Sequence, residues 1–308
     1  MSYSQRMQRN NLYSVYFAPR GKLRMVDLGM QFAQQYLSPF DHIIGFIGDA
    51  GSGKSMLIRG MFPGLDLTND DEGVNIRPLP LLDIHEGGFY TPHTYHVDVR
   101  FEAAFTPIHV LADAVLEVAK QEKRVIVEHF ELLYDALKRN ADLLIGVGEE
   151  IIITRPGVLG PDPDNISKIV YKSIQYRKMA HSAEDLCARC LGEGKNKRLV
   201  RSDVRHGFVL EFEEKPDVDL EELEAQVKEI IAQDLKISYQ GEDHVVLGNA
   251  VQWCLGPRMH VSSTGKIKNF SLIKEFVYDS KKDRYLIIGQ VGKNHGGRIR
   301  QLNEINDI

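Results

Sequence analysis

The chain has 308 residues, 43% hydrophobic and 26% charged, with a formal net charge of −5. That length suits two domains, each burying its own core, and the acidic balance leaves any attraction to nucleic acid to a local patch. No apolar run approaches the roughly 20 residues that span a bilayer, and the start Met-Ser-Tyr-Ser-Gln-Arg-Met-Gln lacks the apolar stretch of a secretory signal. With 3 cysteines, an odd number that argues against a disulfide framework, the expected setting is the cytoplasm, away from membranes.

Asn11–Ala18 predicts a short strand and Lys22–Leu37 a helix, with Leu23, Val26, Met30, Ala33 and Leu37 on one apolar side. The apolar run Ile43-Ile44-Gly45-Phe46-Ile47 predicts a buried strand. Directly behind it stands Gly48-Asp49-Ala50-Gly51-Ser52-Gly53-Lys54-Ser55, a complete G-x-x-x-x-G-K-S loop. Its glycines let backbone N–H groups crowd around phosphate oxygens. Lys54 reaches the β- and γ-phosphates, Ser55 ligates Mg²⁺, and the following helix aims its positive end at the anion. ATP or GTP with Mg²⁺ is therefore the expected ligand.

That helix is expected to stop near Gly60 and Pro63. Residues 64–95, rich in Asp, Gly, Pro and His, predict a functional loop or lid. A strand over Thr94–Phe101, a helix over 107–121, a strand over Arg124–Glu128, a helix over Glu131–Arg139 and strands over Asp142–Val147 and Glu150–Thr154 complete an α/β pattern. Glu128 closes a buried strand at the edge where ligands sit in open α/β sheets. It is the first candidate for the acidic partner of the phosphate loop, and Asp98 is the second. Arg155 either clamps a phosphate from the far side or is a surface residue. His85, His93, His96 and His129 have no clean ligand spacing and belong to loops or a substrate pocket.

Val125-Ile-Val-Glu128-His-Phe resembles the segment of uridine-kinase and phosphoribulokinase-like enzymes in which a strand ends in Glu before a turn. No Asn-Lys-x-Asp guanine signature accompanies it. The resemblance implies transfer of phosphate from ATP to a small acceptor, with Lys54, Glu128 and Asp98 as catalytic candidates.

The Pro/Gly-rich stretch Arg155–Asp164 predicts a domain boundary, with one domain over residues 1–160 and another over 161–308. Beyond it, a long helix over Asn165–Leu191, paired strands over Leu199–Phe212 and a helix capped by Asp219 are expected. That helix buries Leu220, Leu223, Val227, Ile230 and Ile231. Strands over Val245–Leu247, Lys266–Glu275 and Arg284–Val291 follow.

Trp253-Cys-Leu-Gly-Pro-Arg-Met-His-Val-Ser-Ser-Thr-Gly-Lys-Ile-Lys-Asn-Phe270 resembles a segment of the second additional, editing-associated domain of alanyl- and threonyl-tRNA synthetases. His181-Ser-Ala-Glu-Asp-Leu186 is similar to that domain's His-Thr-Ala-Thr-His-Leu helix. The order and spacing hold over about residues 175–290. The resemblance implies Zn²⁺ at His181, Asp185, Cys254 and His260, with Asp185 standing where the family has a second histidine. Cys254 and His260 enclose five residues where the family has three. Residues four apart on a helix are turned by only about 40°, so His181 and Asp185 share a face. Cys187 and Cys190 form a rival C-x-x-C pair but point away from that face; small buried thiols are the alternative for them.

The expected fold class is thus an α/β phosphate-loop domain with a mainly parallel sheet, followed by an α+β synthetase-like domain. Three functions compete: a phosphotransferase acting on an unidentified small acceptor, an editing-type deacylase of tRNA, and a nucleotide-switched binder of tRNA or amino acids. For the last, Lys281, Lys282, Arg284, Lys293, Arg298 and Arg300 either touch RNA or form a solvated basic tail.

Overall fold

The computed structural model describes residues 12–68, 79–82, 93–192, 200–241, 243–254, 256–292 and 302. The expected loop over 64–95 lies largely outside them, as do His85, Lys293, Arg298 and Arg300. The chain is a mixed α/β protein that divides into two compact units. One takes the residues up to Ala18 and Lys22–Lys172; the other takes Pro19–Gly21 and the residues from Ser173 onward.

The first unit is built from β1 (Tyr13–Phe17), α1 (Lys22–Tyr36), β2 (Ile43–Ile47), α2 (Lys54–Met61), β3 (Thr94–Asp98), the single turn α3 (Val99–Glu102), α4 (Ile108–Lys120), β4 (Arg124–Glu128), α5 (Phe130–Leu137), β5 (Leu143–Val147) and β6 (Glu150–Thr154). The strands form one six-stranded sheet in the order β1-β6-β5-β2-β4-β3. β3, β4, β2 and β5 run parallel, whereas β6 and β1 extend the sheet antiparallel. Alternate residues of β2 serve opposite faces. Ile43 and Ile47 join the core with Leu111, Val115, Phe130 and Val170, while Ile44 and Phe46 join Phe32, Leu57 and Ile58. A sheet covered on both sides has no polar face, which is why β2, β4 and β5 read as unbroken apolar runs.

The buried side of α1 carries Met25, Gly29 and Phe32, while Leu23 and Met30 are exposed. This differs from the stripe through Leu23 and Met30 that periodicity alone suggests. The cause is a close helix contact: a Cβ on Gly29 would lie 2.3 Å from the Leu57 carbonyl oxygen, and one on Gly60 would lie 2.1 Å from that of Val26. The two glycines bring α1 down onto α2, so contact distance and not side-chain hydrophobicity sets the face.

The strand expected over Thr94–Phe101 ends at Asp98, because the Asp98 carboxylate accepts the Phe101 N–H at 3.0 Å and starts α3. The long helix α6 (Pro163–Leu191) follows the Pro/Gly-rich stretch. The division between units falls inside it, at Lys172/Ser173 and not at 160/161. Its first turns belong to the first unit because Ile166 and Val170 pack into that unit's core.

The second unit contains the rest of α6, β7 (Val200–Val204), β8 (Gly207–Phe212), α7 (Leu220–Ala232), β9 (Ile237–Gln240), β10 (His244–Leu247), β11 (Ala250–Trp253), β12 (Ser271–Leu272), β13 (Val277–Asp279) and β14 (Arg284–Gln290). One antiparallel sheet runs β12-β14-β8-β7, with β13 also on β14; a second runs β11-β10-β9. Asp219 caps α7 by accepting N–H groups of Glu221 and Glu222. Ala183, Leu186 and Cys187 of α6 share a core with Phe208, Leu223, Val227, Val245, Cys254 and Ile287. The strand expected over Lys266–Glu275 shrinks to β12. Asn269, at φ 50°, turns left-handed and breaks the extended run. No described helix is long and apolar enough to cross a membrane.

Candidate functional site

The parallel strands β3, β4, β2 and β5 deliver their C-terminal ends to one sheet edge, where Asp98 lies beside Glu128 in register. Gly51 and Gly53 of the loop after β2 take φ of 75° and 95°, values that favour glycine. Gly53 is the N-cap of α2, so the helix begins at Lys54 with its positive end toward the loop.

Lys54 is buried, and its Nζ donates to the carbonyl oxygens of Gly48 at 2.9 Å and Asp49 at 3.1 Å. It stands 3.7 Å from Glu128 Oε2. Ser55 Oγ donates to Glu128 Oε1 at 3.4 Å. Glu128 thus meets both the Lys54 and the Ser55 side chains of the loop. His96, expected only as one of four loop or substrate-pocket histidines, completes the group. Its Nδ1 accepts the Thr68 N–H at 3.1 Å, which leaves the ring proton on Nε2, 3.1 Å from Glu128 Oε1. The signal available in the sequence is period two: His96 and Asp98 point to the same face of β3.

Burial opposes the charged form of Glu128, but the hydrogen bond from His96 and the Lys54 ammonium outweigh it. The carboxyl is held at about 2, below its ordinary 4.5. A carboxylate depressed in the folded state contributes stability above its unfolded pKa, and that contribution disappears as pH falls through the folded one. The stability advantage of the wild type over Glu128→Gln should therefore be full above pH 4.5 and shrink toward pH 2. Urea midpoints across that range measure it; a gap independent of pH would contradict the assignment.

Asp98 is buried beside Glu128, with Oδ1 committed to capping α3. Arg155 lies at the other end of the strands. Thr154 pairs with Leu144 and Arg155 continues beyond it, donating to Asp41 at 2.5 and 2.8 Å, to the Asp142 carbonyl at 3.1 Å and to the Tyr36 carbonyl. It is neither a phosphate clamp at the loop nor a solvated surface residue. Its role is to neutralise Asp41, which is fully buried. His129 follows Glu128 in the left-handed region at φ 58°, while His93 is exposed.

A second constellation lies in the second unit. His181, Asp185, Cys254 and His260 bring one donor atom each to within 4.8 Å of one another. His181 and Asp185 come from adjacent turns of α6, Cys254 from the residue after β11, and His260 from the turn beyond it. His181 Nε2 is 3.3 Å from Cys254 Sγ, and His260 Nε2 is 3.0 Å from Asp185 Oδ2. Asp185 Oδ1 also accepts from Arg201 at 2.6 Å. Burial and the Asp185 carboxylate push the Cys254 thiol up, while the His260 hydrogen bond and the His181 and Arg201 charges overcome burial and hold Asp185 down. Cys187 is buried in the core and Cys190 half-buried, and neither joins the cluster.

Of the basic residues near the chain's end, Lys282 is paired with Glu211 at 2.9 Å and Arg284 with Glu213 at 3.1 Å. Those two charges are locally paired, which fits neither a free RNA-binding patch nor a fully solvated tail at these two positions. No protein-family model matches the chain, and no curated protein is significantly similar to it.

Proposed function

We propose that the first unit is a phosphate-loop phosphotransferase that takes ATP as its Mg²⁺ complex and passes phosphate to a small acceptor. The observation that carries this reading is the convergence of Lys54 and Ser55 on Glu128, 3.7 and 3.4 Å from its carboxylate oxygens, at the C-terminal edge of parallel strands. Lys54 moves from the Gly48 and Asp49 carbonyls onto the phosphates, the Ser55 hydroxyl faces the metal of the substrate complex, and Glu128 orients the acceptor hydroxyl or the metal's water. His96 fixes Glu128 so that it stays ionised and correctly turned. Loop N–H groups and the start of α2 stabilise the transferred charge.

The second unit, in this reading, is related to the second additional domain of alanyl- and threonyl-tRNA synthetases and helps to recognise the acceptor. Zinc fits its four-residue cluster. Thiolate, imidazole and carboxylate are all zinc donors, and bonds of about 2.0–2.3 Å separate tetrahedral ligands by roughly 3.3–3.8 Å, within the observed spread. Zinc would supply folding stability and a deprotonated thiolate at Cys254. Four buried protein donors form a closed set, which favours a structural metal over an open hydrolytic one and ranks deacylation below phosphotransfer.

The test is consumption of ATP and of GTP, each with and without a dialysed pool of nucleosides and amino acids, and with bulk tRNA. Acceptor-dependent ATP use without free phosphate supports the proposal. Slow hydrolysis indifferent to small molecules, or stimulated by tRNA alone, overturns it in favour of a nucleotide-switched binder. Metal analysis of the purified protein, expected to return about one zinc per chain, tests the second unit separately.

A further inference from the structure

Beside the phosphate loop lies a polar network that the loop motif does not include. Arg100, in the short α3, is half-exposed, with its guanidinium Nη1 3.9 Å from Asp49 Oδ1. That separation is too long for a hydrogen bond, so the attraction to Asp49 is purely electrostatic. Nη2 donates to the Tyr171 hydroxyl at 3.0 Å. That hydroxyl donates to Glu131 Oε1 at 2.8 Å, meets His129 Nδ1 at 3.2 Å and lies 3.4 Å from the Gly48 carbonyl oxygen. Arg100 is therefore tethered by one side chain that also touches the loop's first glycine, while its fork reaches toward the loop's second residue. Lys54, by contrast, is buried and inside the loop.

The charges make the arrangement informative. A triphosphate with one Mg²⁺ still carries about two negative charges, of which Lys54 and the partial charge at a helix start offset roughly one and a half. Arg100 stands where the remainder would be met, with planar donors suited to phosphate oxygens. Asp49 holds it only loosely. The Tyr171 bond limits its swing, and Glu131, whose Oε2 is buried without a hydrogen-bond partner, anchors Tyr171.

We propose that Arg100 binds the terminal phosphate of the nucleotide and that Tyr171 is its positioning residue. The inference rests on the phosphate-loop reading above and adds to it the group that tells triphosphate from diphosphate. The experiment is titration of the full chain with fluorescent analogues of ATP and ADP, using wild type, Arg100→Ala, Arg100→Lys and Tyr171→Phe. Loss of a charge-assisted bond to phosphate should weaken ATP binding about tenfold or more in Arg100→Ala and leave ADP within about twofold. Tyr171→Phe should weaken ATP by a smaller factor with ADP unchanged, and Arg100→Lys should recover part of the loss. Equal weakening for both nucleotides, or no weakening, overturns the assignment of Arg100. Failure of the wild type to bind either nucleotide instead overturns the phosphate-loop reading, so the two failures are distinct. Arg100 is half-exposed, and unchanged circular dichroism verifies that its variants fold.

Discussion

Lys54→Ala is expected to reduce nucleotide turnover by about two to three orders of magnitude, the usual cost of removing one donor aimed at developing charge. The argument is local. Lys54 is a buried cation between two loop carbonyls and Glu128, and alanine leaves no positive side chain inside the loop. Lys54→Arg is expected to fail as well, because a planar fork cannot occupy the point-charge position that fits beneath Gly48. Steady-state turnover at saturating nucleotide checks both variants. An alanine variant within about tenfold of wild type would remove the loop from the chemistry. The second unit predicts nothing of the kind for Lys54, so a deacylase would survive the substitution.

The largest expected effect on stability lies at the opposite edge of the same sheet. Asp41 is fully buried, and Arg155 supplies two contacts to it, so Arg155→Met leaves a buried carboxylate without the cation hydrogen-bonded to it, although the Arg124 charge remains nearby. Breaking a pair in this way costs about 3–5 kcal/mol. The urea midpoint should fall accordingly, while nucleotide affinity per folded molecule stays at the wild-type value. Pairing Arg155→Met with Asp41→Leu should recover much of the loss, because two well-packed apolar groups replace a buried ion pair at little net cost. If the single variant is as stable as wild type, the burial of Asp41 is misjudged. If its nucleotide affinity falls in the folded state, the separation of the two sheet edges is misjudged.

These residues differ in how far the sequence alone reveals them. The G-x-x-x-x-G-K-S loop and the strand before it are contiguous in sequence, and Glu128, 73 positions beyond Ser55, is legible because it closes an apolar strand. The four donors of the second unit span 181–260 and are legible only through a family resemblance; helical spacing accounts for one pair, His181 and Asp185. What stays hidden depends on distance along the chain. Arg155 finds Asp41 from 114 positions away, and Tyr171 meets Gly48 across 123. The face of α1 is misjudged by periodicity because its contact is made by a glycine, which contributes nothing to an apolar count. β9 and β11 have only four residues each and lack the apolar run that marks the equally short β10.

Pro19–Gly21 belongs to the second unit, although the residues on either side belong to the first. Arg20, buried there, reaches Glu184 at 3.0 Å, Asp203 at 2.5 Å and the Ser202 carbonyl at 3.0 Å. A fragment beginning at Ser173 would consequently lack the arginine that pairs with two of its own acids, one of them fully enclosed three residues after His181. A cut at Lys172/Ser173 thus separates Arg20 from the two acids it pairs with.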